Sequence, residues 1–158
     1  MEHDAVSASE SPIDRSDGRR DLGPEAISRS SGCCGSSPRD TVADYIDRGL
    51  QRRRRAPLPI RGDPAGGDGG LSACFSLRVE RGEIAEISFE CSTCMTLVAY
   101  CELLCETVER GTLRAAVRVA SADLAAQLQG VPPLRRDRAT LAVSAFHRAI
   151  RHALAQEG

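Results

Sequence analysis

Cys91-Ser92-Thr93-Cys94 stands where a β-type run ends and a long apolar run of helical period begins, and that second run carries Cys101 and Cys105. The first turn of a helix presents unpaired N–H groups and a partial positive charge, which favour thiolate over thiol. Thiolates bind soft metal ions and attack disulfides, so metal binding and dithiol redox chemistry are the two uses this spacing can support. Seven cysteines, an odd number, without a legible export signal argue for metal or redox use over a disulfide framework. A cytoplasmic protein is the corresponding expectation.

The elements that must position these thiols follow from periodicity. Ala73, Phe75, Leu77 and Val79 alternate with Ser72, Cys74, Ser76 and Arg78, the period-two pattern of a half-buried strand. Arg81-Gly82 predicts a turn, and Ile84 to Phe89 returns as the partner strand, so a β-hairpin runs directly into Cys91. From about Thr93 to Val108, Leu97, Val98, Cys101, Leu104, Cys105 and Val108 recur at helical spacing. At about 100° per residue Cys94, Cys101 and Cys105 share the apolar face, so Cys101 and Cys105 read as buried packing, whereas Cys91 and Cys94 at the helix start read as functional. A shorter helix capped by Ser121 follows, then the break Val131-Pro132-Pro133-Leu134, then a last helix from about Arg138 to Ala155. His147 and His152 flank the apolar stripe of that helix and are expected in solvent.

Upstream, residues 1–38 hold mostly Ser, Gly, Asp, Glu and Arg and read as a disordered tail, with Cys33 and Cys34 as incidental thiols. Asp40 is the expected cap of a short helix carrying Val42, Tyr45, Ile46 and Leu50, with Arg52 to Arg55 complementing its C-terminal dipole. Pro and Gly from Ala56 to Gly70 predict an extended, mobile linker, which gives a tail (1–38), a helix with linker (39–70) and an α+β domain (71–156). The predicted fold class is α+β, a small antiparallel sheet with helices packed on one face.

Composition removes other functions. The formal charge is −1, so no global field recruits nucleic acid, and no run approaches the roughly 20 apolar residues of a membrane span. Every basic residue apart from histidine is arginine; without lysine there is no Schiff-base catalysis.

From Gly70 to Ala155 the order of hairpin, cysteine at a helix start, long helix, short helix, Pro-Pro break and final helix resembles the U-type iron-sulfur cluster scaffold proteins, IscU and the N-terminal domain of NifU. Cys94 looks like the family's helix-start cysteine. Val131-Pro132-Pro133-Leu134-Arg135 is similar to its Leu-Pro-Pro-Val-Lys motif, which a specialised Hsp70-type chaperone recognises, and Val42 to Arg48 resembles its N-terminal amphipathic helix. The resemblance implies an iron-sulfur cluster assembly protein that is not an enzyme. It implies a cysteine desulfurase, an Hsp70-type chaperone and acceptor proteins as partners, with a homodimer as one state.

The family's cluster site uses a Cys-Gly-Asp in the hairpin, the helix-start cysteine, and a His-Cys pair beyond the Pro-Pro motif. Here Leu71-Ser72-Ala73 stands at the ungapped position of Cys-Gly-Asp, with Cys74 three residues late, and Asp137-Arg138 stands where His-Cys would be. The candidate ligands are therefore Cys91 and Cys94, joined by Cys74 and Asp137, with cysteines of a second protomer able to complete a cluster. The expected cargo is an iron-sulfur cluster or iron, with zinc held tetrahedrally by Cys74, Cys91, Cys94 and Asp137 as the alternative. An adaptor that keeps the partner surfaces and has lost the cluster is the second reading, and a dithiol oxidoreductase through Cys91 and Cys94 the third.

Overall fold

A hairpin is the centre of the sheet. In the computed structural model, which describes residues 40–158, strands β3 (Ser72–Glu80) and β4 (Glu83–Cys91) pair antiparallel from Ala73↔Cys91 to Glu80↔Glu83. Arg81 and Gly82 both take positive φ, 55° and 77°, the left-handed pair that a two-residue hairpin turn needs to match strand twist. The predicted tail over 1–38, with Cys33 and Cys34, lies outside the described residues.

The proline-rich segment behaves differently from the expected linker. Strands β1 (Ile60–Arg61) and β2 (Ala65–Gly66) both pair antiparallel with the free side of β3, Ile60 opposite Leu77 and Ala65 opposite Ala73. Together they form one edge strand interrupted by a bulge at Gly62–Pro64. An edge strand tolerates Pro because the missing N–H faces away from the ladder, which is why a proline-rich stretch can add to the sheet. Gly62 is needed here: a Cβ on it would lie 2.4 Å from the backbone nitrogen of Ala149.

Five helices complete the unit. Helix α1 (Val42–Arg52) packs on α2 (Met95–Val108); α3 (Leu113–Ala116) and α4 (Ser121–Gln127) follow, and α5 (Asp137–Glu157) lies along β3 and both pieces of the edge strand. The predicted α+β fold with a small antiparallel sheet is therefore present. Alternation fixes the two sheet faces: Ala73, Phe75 and Leu77, with Ile87, Phe89 and Cys91 across the ladder, join the core, and Phe75 meets Phe89 and Phe146 at 5.8 Å between ring centres. The opposite face carries Cys74, Ser76 and Arg78 across from Glu90, Ser88 and Glu86.

Two caps and one arginine differ from their sequence reading. Thr41, not Asp40, caps α1: its hydroxyl accepts from the Asp44 backbone N–H at 3.3 Å, and the Asp44 carboxylate accepts from the Thr41 N–H at 2.7 Å. Ala120 stands at the cap of α4, with Ser121 already inside the helix. Arg52 does not lie in solvent at the helix end. It is buried against α2, donating to both oxygens of the buried Glu102 at 2.8 and 3.1 Å, to Glu109, and to the Ile87 carbonyl oxygen at 3.0 Å. Two buried opposite charges must be paired, so the apolar contact between α1 and α2 is pinned by a fork-to-fork ion pair.

Candidate functional site

Cys91 ends β4 and Cys94 is the residue from which α2 starts, with only Ser92 and Thr93 between strand and helix. Ser92 ties the junction to the sheet: its N–H donates to the Ser72 carbonyl oxygen at 2.9 Å, and its hydroxyl accepts from the Ser72 N–H at 2.9 Å. Cys91 belongs to the core-facing set of β4. The influence of the Cys101 thiol of α2, with the charge of Arg53, holds the Cys91 thiol below its ordinary value despite burial. Burial pushes Cys101 well up, as it does Cys105 one turn further along. Both are fully enclosed, 0 % exposed, as the apolar periodicity predicts.

Cys94 faces another neighbourhood. It is half-buried, its side chain caps no N–H of α2, and its sulfur lies in the neighbourhood of the Arg138 guanidinium at the start of α5. Arg138 also ion-pairs with Asp137, while its Nε is buried with no partner among the described residues. Beside this trio a cleft of about 310 Å³ opens between α5 and the loop after the edge strand, lined by Gly66, Gly67, Asp68 and Leu71 on one side and by Asp137, Arg138 and Thr140 on the other.

Cys74 is not part of this arrangement. The register that puts Cys91 opposite Ala73 on the core face puts Cys74 opposite Glu90 on the other face. There its thiol donates to the Gly62 carbonyl oxygen at 3.1 Å and accepts from Arg61 Nε at 3.4 Å. The zinc set of Cys74, Cys91, Cys94 and Asp137 is thus not gathered in one place: Cys74 and Cys91 lie on opposite sheet faces, and of the four only Asp137 lines the cleft. Among the described residues no group of three or more His, Cys, Asp or Glu side chains is gathered closely enough to hold a metal ion.

The residue that sequence reading missed is Asp68. Of Leu71-Ser72-Ala73 only Leu71 reaches the cleft, because Ser72 already opens β3 and Ala73 is core. Gly66-Gly67-Asp68 lines it instead, and it differs from the family's Cys-Gly-Asp only at its first residue. A gapped alignment would have found it; the ungapped one overran the loop. The three stations of the resemblance therefore do converge: Gly66-Gly67-Asp68, Cys94 and Asp137-Arg138. They bring one thiol, two carboxylates and one guanidinium.

A [2Fe-2S] cluster bound through cysteine alone takes four thiolates, and Arg138 supplies a cation that donates hydrogen bonds and coordinates nothing. The stations of this single chain do not fit such a cluster. His147 and His152 do not line this cleft: His152 Nδ1 is bonded to the Arg61 carbonyl oxygen at 2.8 Å, and His147, expected in solvent, is half-buried with its Nε2 enclosed and without a partner among the described residues.

Comparison with known proteins adds three findings. The sequence profile of the family described as the NifU-like N terminal domain matches residues 48–157, well over half of the chain. No curated protein matches. One solved structure, described as the crystal structure of a hypothetical protein at 2.3 Å resolution, is 15% identical over 72% of this chain and 91% of that chain, with a TM-score of 0.35.

Proposed function

The chain belongs to the NifU-like N-terminal domain family, and from that premise we propose that it serves iron-sulfur cluster assembly as a partner-binding, scaffold-like protein that does not hold a cluster on its own side chains. The observation that carries this reading is Arg138, whose guanidinium lies in the neighbourhood of the Cys94 thiol, lines the cleft and is neutralised by Asp137. On this reading the protein is not an enzyme, works in the cytoplasm, and acts through surfaces. The Pro132-Pro133-Leu134-Arg135 turn supports that view, because Leu134 is 91% exposed at the position of the family's chaperone motif. Cysteine desulfurase, an Hsp70-type chaperone and cluster acceptors are the proposed partners.

The test is anaerobic reconstitution with ferrous iron and sulfide, followed by absorption spectroscopy and iron, sulfide and zinc analysis, beside a binding titration with an Hsp70-type chaperone. The expected result is no stoichiometric cluster, with chaperone binding that Leu134→Ala abolishes. A cluster in wild-type protein that disappears in Cys94→Ala would overturn the reading. Arg138→Cys combined with Asp137→His restores the residue types of the family's third station, and it should raise cluster content if the geometry of the stations persists.

A second reading rests on Cys94 being half-buried rather than sealed, with Asp68 and Asp137 lining the neighbouring cleft. Two copies facing one another would pool two thiolates and four carboxylates around iron or a cluster as cargo. Dimerisation dependent on both iron and Cys94, measured by anaerobic sedimentation, would replace the first reading with this one.

A further inference from the structure

A second cavity, of about 340 Å³, lies further along α5, where α4 packs on it, and neither functional reading uses it. Thr140, Ser144, His147 and Arg151 recur at three- and four-residue spacing, so at about 100° per residue they share one stripe of the helix. Ser121, the first residue of α4, and Val143 complete the wall. Its chemistry differs from that of the cleft. Asp68 and Asp137 line the cleft, whereas this cavity is lined by three hydroxyls, an imidazole and a guanidinium, with no carboxylate. These groups are uncommitted. Arg151 enters none of the ion pairs among the described residues. Thr107 of α2 turns its hydroxyl back on the Leu103 carbonyl oxygen at 2.7 Å, but Ser121, Thr140 and Ser144 make no side-chain hydrogen bond among the described residues. His147 Nε2 is enclosed without a partner, and an orphaned polar atom inside a native fold marks a place for a water or an ion.

We propose that this cavity binds a phosphate group, carried either as inorganic phosphate or on a small ester. The Arg151 guanidinium offers a fixed positive charge and paired N–H donors that match two oxygens of a tetrahedral oxyanion. The hydroxyls of Ser121, Thr140 and Ser144 can donate to the remaining oxygens, and a phosphate oxygen is the acceptor that the His147 ring lacks within the protein. A carboxylate in the wall would oppose this ligand, and the neighbouring cleft, with Asp68 and Asp137, does oppose it. Thr140 and Ser144 line both spaces, so they form the boundary between an acidic site and a basic one on the same helix. The inference is independent of the cluster reading, because none of its residues belongs to the three stations.

The experiment titrates the full chain with sodium phosphate at fixed pH, with sodium chloride holding the ionic strength constant. Proton–nitrogen correlation spectra follow the backbone amides of Ser121, Thr140 and Ser144 and the imidazole signals of His147. The expected result is that these signals move together along one saturating curve. Arg151→Gln, at an exposed position where folding is not at stake, should weaken the affinity by about tenfold, as loss of a charge-assisted pair predicts. Glycerol phosphate in a parallel titration separates the two sources: tighter binding of the ester assigns the site to phosphorylated small molecules, and equal binding assigns it to the free ion. Shifts that do not saturate, that sodium chloride alone reproduces, or that centre on Arg135 and Arg136 instead would overturn the proposal. So would an Arg151→Gln chain that binds phosphate as the wild type does.

Discussion

Two regions lie on either side of one helix start, and they use the same residue types in opposite ways. In the seam between α1, α2 and β4, charges and thiols are sealed: Arg52 against Glu102, Cys91 in the core, Cys101 and Cys105 fully enclosed. In the cleft at the start of α5, charges and a thiol are open: Asp137 is 50% exposed at its side chain, Asp68 is exposed, and Cys94 is half-buried near Arg138. Burial is what separates them. A polar group without water must find a partner inside the protein, so the seam is built of complete pairs, whereas the cleft can leave capacity for a ligand or a partner protein.

The hardest break of this contrast is Arg52→Ala. It leaves Glu102 buried without its counter-charge, and a loss of about 3 to 5 kcal/mol is expected by urea denaturation. Arg138→Ala in the cleft should cost far less, since solvent reaches the carboxylate it leaves behind. Equal costs would mean that the two regions are not different environments. Next in size, Cys101→Ala and Cys105→Ala should each cost on the order of 1 kcal/mol through lost buried volume. Cys94→Ala should cost little.

Reactivity sharpens the comparison further. Native-state alkylation followed by mass spectrometry should modify Cys94 readily and leave Cys101 and Cys105 untouched until the protein unfolds. The Cys91 rate should reach half its alkaline limit below the pH typical of a free cysteine, because the influence of Cys101 and the charge of Arg53 favour the thiolate. Cys101→Ala or Arg53→Gln should move that midpoint upward, and an unmoved midpoint would detach Cys91 from these neighbours.

The smallest effect concerns the cap of α1. The carboxyl of Asp44 is held below its ordinary value of 3.8 by its side-chain and backbone hydrogen bonds to Thr41. A depressed acid stabilises the fold above its unfolded value and loses that contribution as pH falls through its folded value. Amide exchange in the first turn of α1 should therefore accelerate as pH falls below about 4, after correction for intrinsic rates, and Asp44→Asn should remove the step.

The hairpin, the long helix after it and the Pro-Pro break were legible in the sequence because each rests on local physics: period two, period 3.6, and the two φ-positive residues at Arg81-Gly82. The edge strand was not. Residues 56 to 70 have linker chemistry, and only the unpaired side of β3 together with the close passage of Gly62 over α5 recruits them into the sheet. Arg52 was equally hidden, since an arginine run at a helix end reads as solvated until α2 presents Glu102 beneath it.

For the site, sequence alone determined which residues carry sulfur and which stations of the family have lost theirs. Cys94 at the helix start and Asp137-Arg138 beyond the Pro-Pro turn were in place by order along the chain. Tertiary structure decided what those residues face. Strand parity sent Cys74 to the far side of the sheet and Cys91 into the core, the start of α2 left Cys94 half-buried near Arg138, and the bulged edge strand carried Asp68 to the cleft. Spacing along a chain sets distance through covalent bonds, while direction depends on which face of a strand or helix is buried, and burial is a property of the whole fold.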